Sequence, residues 1–197
     1  DTDVPAGDIG VGGREVGFMA GMYKKLANRA DCVFTGKGLS FGGSLIRPEA
    51  TGFGTVYFAQ EMLKTQGKGF EGLTVSVSGS GNVAQFAIDK AMALGAKVVS
   101  ASDSSGTIYD PAGFDGDKLI KLMDVKNKHY GRVADYAKQV AGVQYFEGKT
   151  PWFIKADVAL PCATQNELHL ADAQELIKNG VLCVAEGANM PCTIEAA

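Results

Sequence analysis

The sequence predicts an α/β fold: a doubly wound, mostly parallel sheet with helices on both faces, truncated at both ends. Three observations carry this. From residue 73 onward, short β-branched apolar runs alternate with segments of helical apolar spacing, the order that builds parallel strands with helical crossovers. Residues 73–101 hold a strand, a glycine turn, a helix and a second strand in about 29 residues, the size of one βαβ crossover. Glycine makes up 26 of 197 residues, roughly twice the usual ~7%. These glycines gather in short loops without a G-x-y period, as they do where backbone must approach something closely.

Taken in order, residues 1–13 read as a glycine-rich loop. Arg14 to Arg29 reads as a helix, with Val16, Met19, Ala20, Tyr23, Leu26 and Ala27 on one face. Residues 35–50 form a second glycine-rich loop. Thr51 to Lys64 is a helix stopped by Gly67 and Gly69. Leu73–Ser78 and Ala96–Ala101 are strands flanking a helix over Asn82–Leu94. Thr107–Asp110 is a short excursion, and Asp115–Asn127 and Arg132–Val140 are helices. Ala156–Leu160 and Val181–Ala185 are strands, with a helix over Asp172–Asn179 between them.

Composition narrows the function classes. Hydrophobic residues at 46% and charged residues at 21% are ordinary globular usage. A net charge of −3 speaks against a nucleic-acid binder, which needs a basic surface. No apolar run approaches the ~18 residues of a membrane span, and no basic-then-apolar leader opens the chain. Cys32, Cys162, Cys183 and Cys192 form no C-x-x-C pair, and neither His129 nor His169 stands at zinc-ligand spacing to a cysteine. Reduced thiols in a cytoplasmic protein with no bound metal are therefore expected.

The chemistry lies in Gly79-Ser80-Gly81-Asn82-Val83-Ala84, a G-x-G-x-x-A run that follows an expected strand and opens an expected helix. Gly79 allows the tight turn, Gly81 lets backbone approach a pyrophosphate, and Ala84 lets helix and strand pack closely. The helix start supplies oriented N–H groups. Asp103, 24 positions after Gly79, stands where a carboxylate reads the adenosine ribose. Alone it suggests NAD. Its neighbours Ser102, Ser104 and Ser105 can donate to a 2′-phosphate, and Lys126 or Lys128 can add charge, so the residues alone leave NAD and NADP open. Gly148-Lys149-Thr150 ends like a P-loop, but Val143 replaces the first glycine and Pro151 follows at once.

Six stretches together resemble the hexameric, NADP-specific glutamate dehydrogenases of the wider glutamate, leucine, phenylalanine and valine dehydrogenase family. They are Pro5–Gly10, Gly36–Ser44, Arg47–Gly52, Gly79–Ala84, Ala159–Glu167 and Ala185–Pro191. The resemblance implies that Asp8 is the catalytic aspartate and that the backbone of Gly7 touches substrate. Thr51 would bind the nicotinamide end of the cofactor. Gly79, Ser80, Gly81, Asn82 and Val83 would form the pyrophosphate turn, with Asn82 on the pyrophosphate side. Asn189 would lie near the nicotinamide ribose. Ser102, Asp103 and Ser104 look like the NADP-using members, and Lys126 matches a phosphate-binding lysine, which favours NADP over NAD. Pattern alone gives each a plainer role: Asp8 and Thr51 as capping residues, and Asn189 as a turn former.

The implied reaction is the reversible oxidative deamination of L-glutamate to 2-oxoglutarate and ammonium, in a cytoplasmic homo-hexamer that binds small molecules and neither nucleic acid nor membrane. Residues 1–50 would be the end of a substrate domain with its linker, and 51–197 an incomplete dinucleotide-binding domain of Rossmann type. No lysine here matches those that polarise the substrate carbonyl and hold its carboxylates; Lys37 belongs to a different motif. An internal fragment of this kind is expected to bind dinucleotide without turning over substrate. A leucine- or phenylalanine-type dehydrogenase, or a segment that only binds dinucleotide, are the alternatives.

Overall fold

A computed structural model describes residues 3–30 and 33–197. Asp1, Thr2 and Cys32, read above as loop and as a reduced thiol, lie outside the described residues. The chain divides into two compact units, Asp1–Arg47 and Pro48–Ala197.

Among its described residues the first unit holds one α-helix, a short 3-10 helix over Leu39–Phe41 and their loops. Helix α1 (Gly13–Ala27) buries Val16 and Ala20 and ends on Asn28 in the left-handed region, φ 50°. At its start the Glu15 carboxylate accepts the Gly12 N–H at 2.9 Å, and Lys24 and Lys25 sit in the last turn, where they favour the helix dipole. The flanking loops close on each other through Thr35 N–H to the Pro5 carbonyl at 3.0 Å. Gly43 is confined to glycine by contact: an added Cβ would fall 1.8 Å from the Lys37 carbonyl oxygen.

The second unit opens with α2 (Ala50–Lys64), β1 (Thr74–Val77) and α3 (Asn82–Ala93). Strands β2 (Lys97–Val98), β3 (Ser100–Asp103) and β4 (Gly106–Tyr109) follow, then α4 (Gly116–Met123) and α5 (Val133–Ala137). Last come β5 (Gln144–Glu147), β6 (Val158–Leu160), α6 (Leu170–Lys178) and β7 (Cys183–Val184). Four strands form a sheet in the order β2-β1-β6-β7, every pair parallel. The chain steps outward from β1 to β2 and later returns to the other side of β1. The strand order therefore reverses between β1 and β6, the position at which open α/β sheets bind ligands.

Burial shows why these residues choose this fold. In α2, Val56, Ala59 and Leu63 are buried; in α3, Ala84, Ala87, Ile88 and Ala91 are, each set along one helical face. Successive residues of β6 face opposite ways. Val158 and Leu160 join the cluster around α2 and α3, while Ala159 joins a second cluster with Trp152, Leu168 and Leu176. The sheet is thus covered on both faces. Among the described residues no helix is long and apolar enough to cross a membrane.

The structure departs from the sequence reading in five places. The expected strand over 96–101 is interrupted at Val99, whose N–H still bonds to the Val75 carbonyl at 2.9 Å. Beyond it β3 pairs instead with β4, and β4 with β5, in a separate antiparallel sheet. The expected excursion at 107–110 is thus strand β4, and β5 was not anticipated. The helix expected over 132–140 is only Val133–Ala137, and the one over 115–127 changes to π-helical winding at Asp124–Lys128.

Where the backbone ladder between β1 and β3 is lost, serines replace it. The Ser100 hydroxyl accepts the Val77 N–H at 2.9 Å, and the Ser102 hydroxyl accepts the Gly79 N–H at 2.8 Å. One buried polar atom lacks a partner among the described residues, the Tyr136 hydroxyl. Tyr136 stacks on Phe114 with centroids 6.0 Å apart. Burial first, then the Asp110 and Asp115 carboxylates, push its phenol well above the usual range. Tyr136→Phe removes an unsatisfied group and is expected to stabilise the protein by about 1 kcal/mol, read as a melting temperature about 2–4 °C higher.

Candidate functional site

The glycine turn sits at the C-terminal end of β1, beside the reversal in strand order. Gly79 has φ +81°, and a Cβ there would lie 2.7 Å from the Cys162 carbonyl oxygen. Only glycine meets both demands. The Gly79 carbonyl accepts the Ser102 N–H at 2.9 Å, which completes its tie to β3. Gly81 precedes α3 in extended conformation, no side chain caps that helix end, and a Cβ on Gly81 would point into open space. Uncapped N–H groups beside an open glycine make a cradle for an anion. Buried Gln85 braces it, its amide donating to the Ser80 carbonyl at 2.8 Å and pairing with Asn127 at 3.0 Å.

The start of α2 is brought to the same turn. The Asn82 amide donates to the Pro48 carbonyl at 2.7 Å. An added Cβ on Gly52 would fall 2.6 Å from the Val83 carbonyl oxygen and 2.7 Å from the Ala87 nitrogen, so the two helices touch backbone to backbone. Exposed Thr51 therefore stands next to the residues that pack on the turn. Val83 is half-buried behind it, and Ser80 is buried.

At the end of β3 the groups expected to read the adenosine ribose are engaged with one another. One Asp103 oxygen accepts the Ser105 hydroxyl at 2.6 Å and the Ser105 N–H at 2.9 Å. The other accepts Lys126 Nζ at 3.0 Å and the Val133 N–H at 2.9 Å. Burial alone would raise the Asp103 carboxyl; the Ser105, Val133 and Lys126 bonds outweigh it and hold it below its ordinary 3.8. Its stabilising contribution is present above that value and lost as pH falls through the folded one. Lys126 also donates to the Gly131 carbonyl at 2.9 Å. The π-helical turn around it is an irregularity often found at functional sites.

Ser102 is buried and holds Gly79, whereas Ser104 is exposed. Exposed Arg132 donates to the Ser104 hydroxyl at 2.8 Å. Sequence reasoning passed over Arg132, because it belongs to no motif and the chain brings it to β3 from 28 residues away.

The loops after β6 and β7 are tied to each other, and the first of them packs on the glycine turn. The Pro161 carbonyl accepts the N–H groups of Gly187 at 2.7 Å and Ala188 at 3.0 Å. Asn189 follows, exposed. The Asn166 N–H bonds to the Met190 carbonyl at 2.9 Å. Cys162 is buried, and burial, followed by the Glu167 charge, pushes its thiol well above the usual range, so it is no nucleophile.

Asp8 lies in the first unit. Its backbone carbonyl accepts the Val11 N–H at 2.8 Å, which leaves its exposed side chain outside the turn. A Cβ on Gly7 would meet the Val11 carbonyl oxygen at 2.6 Å, so the chain passes Gly7 bare of side chain. The structure thus gathers Thr51, the 79–83 turn, Ser102–Ser104 and Lys126 in one unit, and puts Gly7 and Asp8 in the other.

Parallel strands, a positive-φ glycine turn at the reversal of strand order and an uncapped helix end define a Rossmann-type α/β domain. Residues 42–197 match the family model described as Glutamate/Leucine/Phenylalanine/Valine dehydrogenase, and the chain belongs to that family. Over 196 residues it is 71% identical to the NADP-specific glutamate dehydrogenase of Haemophilus influenzae and 69% identical to that of Escherichia coli. All of this chain is covered in each case, with 43% and 44% of the relatives' lengths. Among solved structures, Plasmodium falciparum glutamate dehydrogenase superposes with a TM-score of 0.87 at 48% identity, over 99% of this chain and 42% of that one. The chain thus spans less than half the length of the relatives it matches.

Proposed function

We propose that the protein is an NADP-dependent glutamate dehydrogenase, interconverting L-glutamate with 2-oxoglutarate and ammonium. What carries the reading is the high identity to two bacterial NADP-specific glutamate dehydrogenases along the whole chain, the glycine turn included. NADP, when bound, supplies hydride exchange with the amino-acid Cα. The turn from Gly79 to Val83, with Asn82 at its helix end, takes the pyrophosphate on backbone N–H groups. Thr51 and Asn189 contact the nicotinamide side. Asp8 moves protons to and from the amine as general acid–base, and the Gly7 backbone positions substrate. Residues 1–50 are the end of the substrate domain and its linker, 51–197 the cofactor domain, and the cytoplasmic homo-hexamer belongs to the same reading.

The test is oxidation of NADPH by the intact protein with ammonium and a panel of 2-oxo acids. 2-Oxoglutarate is expected to be strongly preferred; preference for a branched aliphatic or aromatic 2-oxo acid overturns the glutamate assignment.

Cofactor choice is assigned to Ser104, Lys126 and Arg132, with Ser102 and Asp103 holding the frame. NADPH is expected to bind more tightly than NADH, with the gap narrowing as salt is raised, because phosphate contacts to exposed Arg132 and half-buried Lys126 are partly screened. Lys126→Ala and Arg132→Ala each weaken NADPH on the order of tenfold more than NADH. Equal losses for the two cofactors, measured by fluorescence titration, would remove these cations from phosphate recognition.

A further inference from the structure

Glu167 is a buried carboxylate, 9% exposed, with no part in the chemistry described so far. One of its oxygens accepts the Ser78 hydroxyl at 2.8 Å, the Ala163 N–H at 3.0 Å and the Thr164 N–H at 3.4 Å. The Ser78 oxygen in turn accepts the Cys162 N–H at 2.9 Å. Three consecutive amides of the loop after β6 are thus held by one serine–glutamate pair. Ser78 immediately precedes Gly79, so the pair joins this loop to the glycine turn across the reversal in strand order. Glu167 is itself anchored, its backbone carbonyl accepting the indole N–H of fully buried Trp152 at 3.2 Å.

The loop it holds packs directly against the glycine turn. Gly79 approaches the Cys162 carbonyl so closely that a Cβ would not fit. The groups assigned to the adenosine side, Ser104, Lys126 and Arg132, lie at the end of β3, on the β2 side of β1. Strand β6 is on the opposite side of β1. A dinucleotide laid across the reversal puts its two halves on opposite sides of the turn, so the Cys162–Thr164 loop faces the nicotinamide half.

We propose that Glu167 is a positioning residue for the nicotinamide half of the dinucleotide, fixing the backbone of Ala163 and Thr164 directly, and that of Cys162 through Ser78, against the glycine turn. The inference rests on the dinucleotide-binding reading above. A carboxylate suits the task because it accepts several donors at once and does not rotate a donor of its own into the amides.

The experiment compares two probes on the intact protein, NADPH and adenosine 2′,5′-bisphosphate, which carries the adenosine half alone. Glu167→Gln keeps the shape and replaces one acceptor oxygen by an NH₂ donor. It is expected to weaken NADPH about tenfold or more while changing affinity for the bisphosphate less than about twofold. Ser78→Ala breaks the same link with a smaller change and is expected to show the same selective loss; it decides the matter should Glu167→Gln not fold. Glu167→Asp is expected to restore part of the NADPH affinity. Equal weakening of both probes, or no weakening of either, overturns the proposal. Wild-type protein that binds neither probe overturns the dinucleotide reading itself, and the role of Glu167 with it; binding by wild type with no selective loss in the variants overturns the role of Glu167 alone.

Discussion

Asp8→Asn in the intact protein is expected to lower kcat by about 10²–10⁴-fold, the range for loss of a general acid–base. Asparagine keeps the size and the local backbone, and Asp8 holds the adjoining turn through its carbonyl rather than its side chain. Fold and stability should therefore be unchanged. NADPH affinity should also be unchanged, because every group assigned to the cofactor lies in the other unit. A fall in kcat with little change in the affinities of substrate and cofactor marks an interaction made in the transition state. Turnover by Asp8→Asn at the wild-type rate would show that proton transfer is handled elsewhere.

The second large effect is expected at Gly79. Alanine there carries a Cβ in the left-handed region, a cost of about 1–2 kcal/mol. It also drives that Cβ to 2.7 Å from the Cys162 oxygen and 3.2 Å from the Ala163 Cα, with overpacking adding roughly 1–3 kcal/mol. A combined loss of about 2–5 kcal/mol should appear in denaturant unfolding. Relief comes only by moving the turn or the loop after β6, and either movement spoils the cradle. Dinucleotide binding should therefore be lost more completely than stability. Gly81→Ala is the control, since its Cβ meets nothing within 4 Å. It should leave stability nearly intact while still weakening binding, because the space it fills is the space assigned to the pyrophosphate.

How much of this was legible in the sequence follows from what each element depends on. The parallel strands and α2, α3 and α6 were readable because their apolar residues repeat at the period of the element and glycine or polar residues bound them. Strand β5 was not. Gln144-Tyr145-Phe146-Glu147 has exposed ends and half-buried middle residues, with no period-2 face, and it is a strand only because β4 offers an edge. The break at Val99 was equally silent, since the serines that repair it read as ordinary strand residues. At the site, the glycine turn was legible because its spacing falls between a readable strand and a readable helix. The Asp103 cluster was legible only in its membership. That its carboxylate is satisfied by Ser105, Val133 and Lys126 depends on distant chain segments meeting, as does the approach of Arg132 to Ser104.

That closed cluster bears on how cofactor preference can change over evolution. In dinucleotide-binding domains the acidic residue about 20 positions beyond the glycine turn commonly reads the ribose and so filters one cofactor from the other. Here Asp103 is a hub for two loops and a helix start, and its removal would orphan the Val133 amide and strip the Lys126 ammonium of its counter-charge. Drift toward NAD is therefore channelled away from the acid and onto the cations beside it. Arg132 can be lost in a single step that costs NADPH affinity and leaves the Asp103 cluster intact, whereas Lys126 is replaceable only alongside a change that resettles Asp103. The route from one cofactor to the other is short at its rim and blocked at its centre.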